Sequence, residues 1–571
     1  MSTLSRFRSA IAQPLSHLTQ IEKSHISKLL STPKASSTHQ FSLPIPKLVA
    51  QADHKPINVA AFCQELAGKF EPNTYIEKAT ASGPFLQFDV QPLEYIKSTL
   101  NQVYNEKDLY GHHTEPINDK KTVVIDYSSP NIAKPFHAGH LRSTILGNFI
   151  KRVHDANGYK TIGVNYLGDW GKQYGLLAIG FELFGDSEAL VKDPIHHLYQ
   201  VYVKINELAK SNPDIDQKAN AYFKKMEDGD EEALGQWRRF RDLSIESYKE
   251  IYHRLNIEFD HYSGESQTEP FIPKVYDLLR ERSLLKITED GAWIIDLEPY
   301  KLGKPVIRRA DGTSLYMTRD LASIMLRRHL FGSFDKAVYV VGTEQELYLK
   351  QLFKICQLLE YPIDLHHANF GRVMGMSTRK GTVVFLQDIL DTAKECMLEN
   401  VRKSNSEMSN HQQELVADRL GASAVMIQDM LAKRVKNYEF SWNRMTAAKG
   451  YTGVYLQYTF ARMCSIEAKA NVPITNEADL SLLKENEAFE LALTISQLSD
   501  ITRSACQSMD PSVIVQYLFR LAHATSQANS ALRVKGADAA TAEARMLLFW
   551  AARTTLANGL HILGIDPLRR V

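Results

Sequence analysis

Two prolines, Pro130 and Pro135, separate the β-branched run KTVVIDY (121–127) from a helix-like pattern downstream. A proline lacks a backbone N–H and pushes its predecessor into extended geometry, so no helix can begin before about residue 136. The run ahead of them is short and apolar, which suits a buried parallel strand. A second strand-like piece follows in TIGVNYLGDWGKQYG (161–175). Strand, helix, strand over about fifty residues is the βαβ signal of a doubly wound sheet. In such α/β folds the crevice for ligands lies at the carboxyl ends of the strands.

The rest of the chain is organised around that sheet. A length of 571 residues exceeds one ordinary core and predicts about two to four domains. Residues 1–115 read as a small α/β unit ending in SGPFLQFDV (82–90). Residues 116–440 carry the sheet, with a charged helical insertion expected at about 185–290, typified by EEALGQWRRFRDLSIESYKEIYHRL (231–255). Strand signals return in AVYVVG (337–342) and GTVVFL (381–386), which predicts that the sheet is completed after the insertion. From about 405 the pattern is almost entirely helical, and 441–571 is expected to form a separate helix bundle.

Composition narrows the function classes. The formal net charge of +1 excludes a globally basic nucleic-acid binder, so any such surface must be local. No apolar run approaches the roughly 18 to 20 residues that span a bilayer. The five cysteines are scattered without a C-x-x-C pair, which argues against a zinc site or disulfide framework and fits a reducing compartment. Arg6, Arg8, Lys23 and Lys28 stand near the N-terminus with Glu22 the one acid in the first fifty residues. That pattern suits an organelle-targeting segment, whereas the apolar spacing from Leu15 to Leu30 suits the first helices of a domain. A cytoplasmic location is expected, with the mitochondrial matrix as the alternative.

The stretch between strand and helix, SSPNIAKPFHAGHLRST (128–144), carries the chemistry. Unpaired N–H groups at a helix start favour an anion. His137 and His140 are three apart and share one helix face. Gly139 between them lets a flat base or ribose approach the backbone. Together they suit a nucleotide triphosphate whose α-phosphate is attacked while fixed donors stabilise the developing charge. A histidine pair alone is more often surface or capping chemistry; its place after a strand raises the catalytic reading. A zinc site would want H-E-x-x-H, which is absent, and no metal ligand set is read.

This stretch resembles the HIGH signature region of class I aminoacyl-tRNA synthetases, in the form found in arginyl-tRNA synthetases. NYLGDWGKQYG (165–175), FDHYSGES (259–266), SLYMTRDLAS (314–323), GMSTRKGTVVFL (375–386), NYEFSWNRM (437–445) and YTGVYLQYTFARMCSI (451–466) resemble that family in the same order, its eukaryotic, fungal-like branch best. The resemblance implies a Rossmann-type catalytic domain, an N-terminal tRNA-contacting domain and a C-terminal anticodon-binding bundle of the DALR type. It also implies the activity: L-arginine and ATP with Mg²⁺ give arginyl-adenylate, and the arginyl group passes to the terminal adenosine of tRNA(Arg), at the 2′-hydroxyl. Activation is expected to depend on bound tRNA, and the chain is expected to be a monomer. A nucleotidylyltransferase acting on a small metabolite and a non-catalytic RNA-binding scaffold are the competing readings.

A guanidinium substrate needs carboxylates placed for planar, bidentate hydrogen bonding. Asp126 closes the first strand, and Asp320 follows Tyr316 by four on one helix face, so that Tyr316 could stack on the guanidinium plane. From the residues alone, a salt bridge of Asp320 with Arg319 or Arg327 competes. The resemblance implies that Ser129, Asn131, His140 and Gln345 also contact arginine; Asn131 and Gln345 suit its α-amino and carboxylate groups. Tyr348 stands where the family often has histidine.

GMSTRKG (375–381) is a glycine-flanked polar loop with adjacent cations Arg379 and Lys380. Alone it reads as a solvated turn, but beside a triphosphate it suits a clamp on the leaving pyrophosphate. It resembles the KMSKS loop of class I synthetases, with Gly375 and Thr378 at that motif's lysine positions. Lys134 and Lys380 are therefore expected to divide the catalytic charge, with Met376 and Ser377 bordering ATP beside His137, Gly139 and His140.

For tRNA, Tyr451, Tyr455 and Tyr458 recur at i, i+4, i+7 on one helical face. Such a stripe is usually core packing, yet rings with a polar tip also stack unpaired bases, at about 1 to 3 kcal/mol each. The resemblance favours tRNA contact over 451–465, Arg462 included, although Val454 and Phe460 replace the more usual proline and histidine. Phe85 and Gln87 in GPFLQF match the family's N-terminal domain, which touches the tRNA elbow; a plain strand core is the alternative.

Overall fold

A computed structural model describes residues 1–32, 39–50, 58–113, 120–132, 136, 138–375, 385–404, 408–447 and 450–571. Its centre is a five-stranded parallel sheet. In spatial order the strands are Asp364–His367, Lys336–Tyr339, Thr122–Asp126, Lys160–Leu167 and His261–Gly264. The chain therefore winds outward from Thr122–Asp126 in one direction and then in the other. The order reverses between that strand and Lys336–Tyr339, and such a switch point opens a crevice above the strand ends. Successive side chains of a strand point to opposite faces. Accordingly Val123 and Ile125 enter one buried core and Val124 the other. Both faces are apolar because helices cover both.

Two strands differ from the sequence expectation. His261–Gly264 lies inside the stretch read as a helical insertion. The helices of that region run from Lys172–Phe184 through Glu231–Arg254. The fifth strand among the described residues is Asp364–His367; of the run GTVVFL, read as a strand, 381–384 lie outside the described residues and Leu386 opens the helix Leu386–Ser404. Strands of four residues containing histidine and aspartate carry almost no alternation, and neighbouring ladders supply their order. A small antiparallel sheet of Leu285–Ile287, Trp293–Ile295 and Val306–Arg308 precedes the helix Tyr316–Phe331.

The N-terminal unit is a three-stranded antiparallel sheet, with Phe85–Val90 between Phe41–Pro44 and Ile76–Ser82. The helices Thr3–Thr19 and Lys23–Leu29 pack on it, with Phe7, Ile11 and Leu15 fully buried. Residues 3–19 and 23–29 are thus folded helices, as the apolar spacing predicts, and Arg8 is spent on an ion pair with Asp500 of the C-terminal bundle. Tyr95 Oη and Ser496 Oγ, 2.7 Å apart, join the same two units.

The bundle comprises Gly453–Ala470, Asn486–Ile495, Leu498–Ser508, Ser512–Ala531 and Ala539–Ile562. One apolar core runs from Val123 and Ile125 in the sheet into Leu547 and Leu556 in the bundle. Within the protein, Arg142 of the helix Ala138–Ala156 faces Asp429 of the helix Asn410–Leu431 at 3.5 Å, both side chains 0% exposed. Arg142 Nη1 also donates to the carbonyls of Gly371 and Lys436. Removing one partner of a buried pair strands the other charge, so Asp429→Ala should cost about 3–5 kcal/mol. Urea unfolding checks this as a lowered midpoint with an unchanged m-value.

Candidate active site

The crevice floor is built by an unusual turn. After Thr122–Asp126 the chain places Ser128 at φ +70° and Ser129 at φ +47°, two successive left-handed residues that are not glycine. Such residues cost roughly 1–3 kcal/mol each and persist where surroundings over-determine them. Here Ser128 N donates to Ser143 Oγ at 3.0 Å, and Thr144 Oγ1 donates to Ser128 Oγ at 2.7 Å. Ser128 Oγ also meets Tyr252 Oη at 2.7 Å. Ser129 N donates to Asn165 Oδ1 at 3.1 Å, and Asn165 Nδ2 donates to Tyr252 Oη at 3.1 Å. The partners come from the next helix, the next strand and the last inserted helix. The turn therefore exists only when all three are docked.

Beyond it, Asn131 bridges to Gly168 at the end of the second strand. The helix Ala138–Ala156 then opens, with Gly139 and His140 half-buried in its first turn. The His140 ring stacks on Phe136 at 5.3 Å and 18°. Lys134, His137, Met376, Ser377 and Lys380 lie outside the described residues.

Across the crevice, the helix Tyr316–Phe331 brings Asp320 into the electrostatic neighbourhood of Asp126. Neither competing salt bridge of Asp320 forms. Arg319 Nη1 donates to Glu265 Oε2 at 3.0 Å, and Arg327 pairs with Asp126. The Asp320 carboxylate instead accepts from the Tyr348 hydroxyl. Both Asp126 oxygens are engaged within the protein, Oδ2 by Arg327 and Oδ1 by Ser129 Oγ at 2.9 Å. Tyr316 is 69% exposed at the helix start, and Gln345 is exposed in the turn Thr343–Gln345 that follows the fourth strand.

Electrostatics mark the pocket. Burial pushes the Asp320 carboxyl up to about 6; Asp126 adds to the rise, while the Tyr348 hydrogen bond, Arg327 and Arg319 oppose it. Burial likewise pushes Glu265 up to about 7, with Asp320 and Asp169 raising it further and Arg319 opposing. Carboxyls held this high gain most from an incoming cation. Asp169 is fully buried and accepts from Arg241 Nε at 2.9 Å, Ser266 N at 2.9 Å and Ser266 Oγ at 2.8 Å. Sequence reasoning missed Glu265, Asp169 and the Tyr348 contact, although Glu265 and Asp169 sit inside quoted motifs. Nothing local to those motifs shows which carboxylates meet.

A second surface lies on the bundle. Tyr455, Tyr458 and Arg462 line a groove of about 1680 Å³ together with Lys469, Arg533, Lys535, Arg569 and Arg570. Among the described residues no aspartate or glutamate lines it. Tyr451 stands apart, 70% exposed, with its ring edge-on to Phe519 at 5.0 Å. On the N-terminal sheet, Leu86, Phe88 and Val90 point inward, while Phe85, 45% exposed, and Gln87 share the outer face. The strand-core alternative for Phe85 is thereby removed.

The model for the catalytic domain of class I tRNA synthetases (R) matches residues 99–442. The arginyl tRNA synthetase N-terminal domain matches 5–90, and the DALR anticodon binding domain matches 456–571. The chain is 46% identical to the probable cytoplasmic arginine–tRNA ligase of Dictyostelium discoideum, over 99% of this chain and 100% of that protein. It is 45% identical to the cytoplasmic arginine–tRNA ligase of Saccharomyces cerevisiae, over 99% and 94%. The arginyl-tRNA synthetase of Thermus thermophilus shares the fold, with a TM-score of 0.81 at 21% identity, covering 98% of this chain and 99% of that one. With the doubly wound sheet, the helix Ala138–Ala156 at its switch point and these matches over 94% or more of each chain, the chain belongs to the class I arginyl-tRNA synthetase family.

Proposed function

We infer that this chain joins L-arginine to its tRNA using ATP. A carboxylate oxygen of arginine attacks the α-phosphorus of ATP, pyrophosphate leaves, and arginyl-adenylate forms. A hydroxyl of the tRNA's terminal adenosine then attacks the adenylate carbonyl, and AMP leaves. The observation that carries this reading is an acidic pocket beside the HAGH helix at the sheet's switch point, in a chain of this family.

The residue roles proposed with it rest on the motifs and on the placement of those residues that are described. Asp320, with Tyr348 holding one oxygen, receives the guanidinium, and Asn131, Ser129 and Gln345 meet the α-amino and carboxylate groups. His140, Gly139 and His137 hold the nucleotide at the helix start, where N–H groups and the helix dipole favour phosphate. Lys134 and Lys380 counter the pyrophosphate charge, with Met376 and Ser377 alongside. Mg²⁺ arrives on the triphosphate, where it keeps most of its ligands as phosphate and water. Among the described residues no group of three or more His, Cys, Asp or Glu is arranged to hold a metal. Arginine-dependent ATP–pyrophosphate exchange, run across a panel of amino acids with and without tRNA, tests the function. Exchange with another amino acid, or with none, overturns it.

The basic groove favours this reading over a metabolite nucleotidylyltransferase. We assign it to the anticodon arm, with Tyr455, Tyr458 and Tyr451 stacking on bases and Phe85 and Gln87 meeting the tRNA elbow. Arg569→Ala with Arg570→Ala should raise the KM for tRNA about tenfold and flatten its salt dependence by roughly one unit of slope per lost phosphate contact. The affinity for arginine should not move. We place the enzyme in the cytoplasm as a monomer. The names of both relatives support the compartment.

A further inference from the structure

The pocket already contains a guanidinium, and it belongs to the protein. Arg327 has a side chain 3% exposed and pairs through Nη2 with Asp126 Oδ2. Its guanidinium carbon lies 5.6 Å from the ring centre of Tyr166 and 5.3 Å from that of Tyr339. Its Nε and Nη1 meet no acceptor among the described residues. Asp126, Tyr166 and Tyr339 come from three adjacent strands, with Asp126 in register with Tyr339. A carboxylate and two aromatic faces are the recognition set for a planar cation. Here that set is filled from within.

Charge pairing across the pocket makes the same point. Asp126 is matched by Arg327, Glu265 by Arg319 and Asp169 by Arg241. Among the described residues Asp320 alone of these four has a neutral partner, the Tyr348 hydroxyl. We propose that Arg327 is a positioning residue that fills the Asp126–Tyr166–Tyr339 cage, so that the substrate guanidinium is directed to Asp320. The proposal rests on the reading of this crevice as the arginine pocket. Arg327 and Asp320 share one helix, and the Asp126 cage lies within electrostatic range of Asp320. An emptied cage would therefore offer the substrate's head group a second, neighbouring seat at Asp126 and shift its carboxylate from the α-phosphate by about 1 Å or more.

The test uses Arg327→Ala in pyrophosphate exchange with tRNA and ATP saturating. Misplacement on this scale predicts a fall in kcat of about 100-fold. Millimolar guanidinium chloride should then raise kcat by refilling the cage, against sodium chloride at equal ionic strength. In the unaltered enzyme the same ion should inhibit, in competition with arginine. Because arginine seated in the emptied cage is bound non-productively, its KM should fall together with kcat in the variant, a pairing that a merely structural loss would not produce. A wild-type kcat in the variant, or inhibition of the variant by guanidinium, overturns the proposal. Should the variant not fold, titration of the unaltered chain with methylguanidinium decides: one arginine-displaceable site supports a filled cage, and two overturn it. Absence of arginine-dependent exchange in the unaltered enzyme would instead defeat the functional reading, so the two failures are distinguishable.

Discussion

Asp320→Ala should lower kcat/KM for arginine by about 10²- to 10³-fold in pyrophosphate exchange, the cost of leaving one half of a desolvated charge pair without its partner. The residue sits on the helix Tyr316–Phe331 with one oxygen held by Tyr348, so its carboxylate is positioned before arginine arrives. The same side chain sets a pH dependence. Burial pushes its carboxyl up to about 6, and only the ionised form accepts both hydrogen bonds of a guanidinium fork. Affinity for arginine is thus present above pH 6 and lost as the pH falls through that value. In kcat/KM, which reports the free enzyme, this appears as an acidic limb, and Asp320→Asn should remove the limb while lowering the plateau. A variant with unchanged kcat/KM would place the guanidinium elsewhere.

His140→Ala should act on the other substrate and in another parameter. A donor aimed at charge that develops on the phosphoryl oxygens contributes to the transition state more than to binding, and losing one typically costs about 10²- to 10³-fold in kcat. The KM for ATP should move far less. The stack on Phe136 and the helix start at Ala138 hold the ring in place before substrate arrives. His140→Asn, which keeps a donor on a shorter side chain, should regain part of the rate. Equal losses in kcat for both variants would mean that ring packing, not donation, is what His140 supplies.

Both predictions draw on residues that could be singled out without coordinates. Pro130 and Pro135 exclude helix by sterics alone, so the place where the helix opens is written locally. The order of seven short motifs identified the family, and the outward face of Phe85 and Gln87 follows from the period of two in the strand Phe85–Val90. The strand His261–Gly264 was missed because four mixed residues carry no period, and it takes its conformation from the ladder with Lys160–Leu167.

The amino-acid sequence by itself determined the family, the doubly wound sheet and the position of the nucleotide helix, since those depend on periodicity and steric exclusion over a few residues. The tertiary structure alone decided which charges meet. Arg327 could equally have paired with Asp320 on its own helix, yet it reaches Asp126, 201 positions away. Likewise Arg569 and Arg570, at the chain's end, join Arg462 and Arg533 in one groove. Partner choice among charges depends on how crossovers stack the strand ends and how much water each carboxylate loses, and neither quantity exists until the chain has folded.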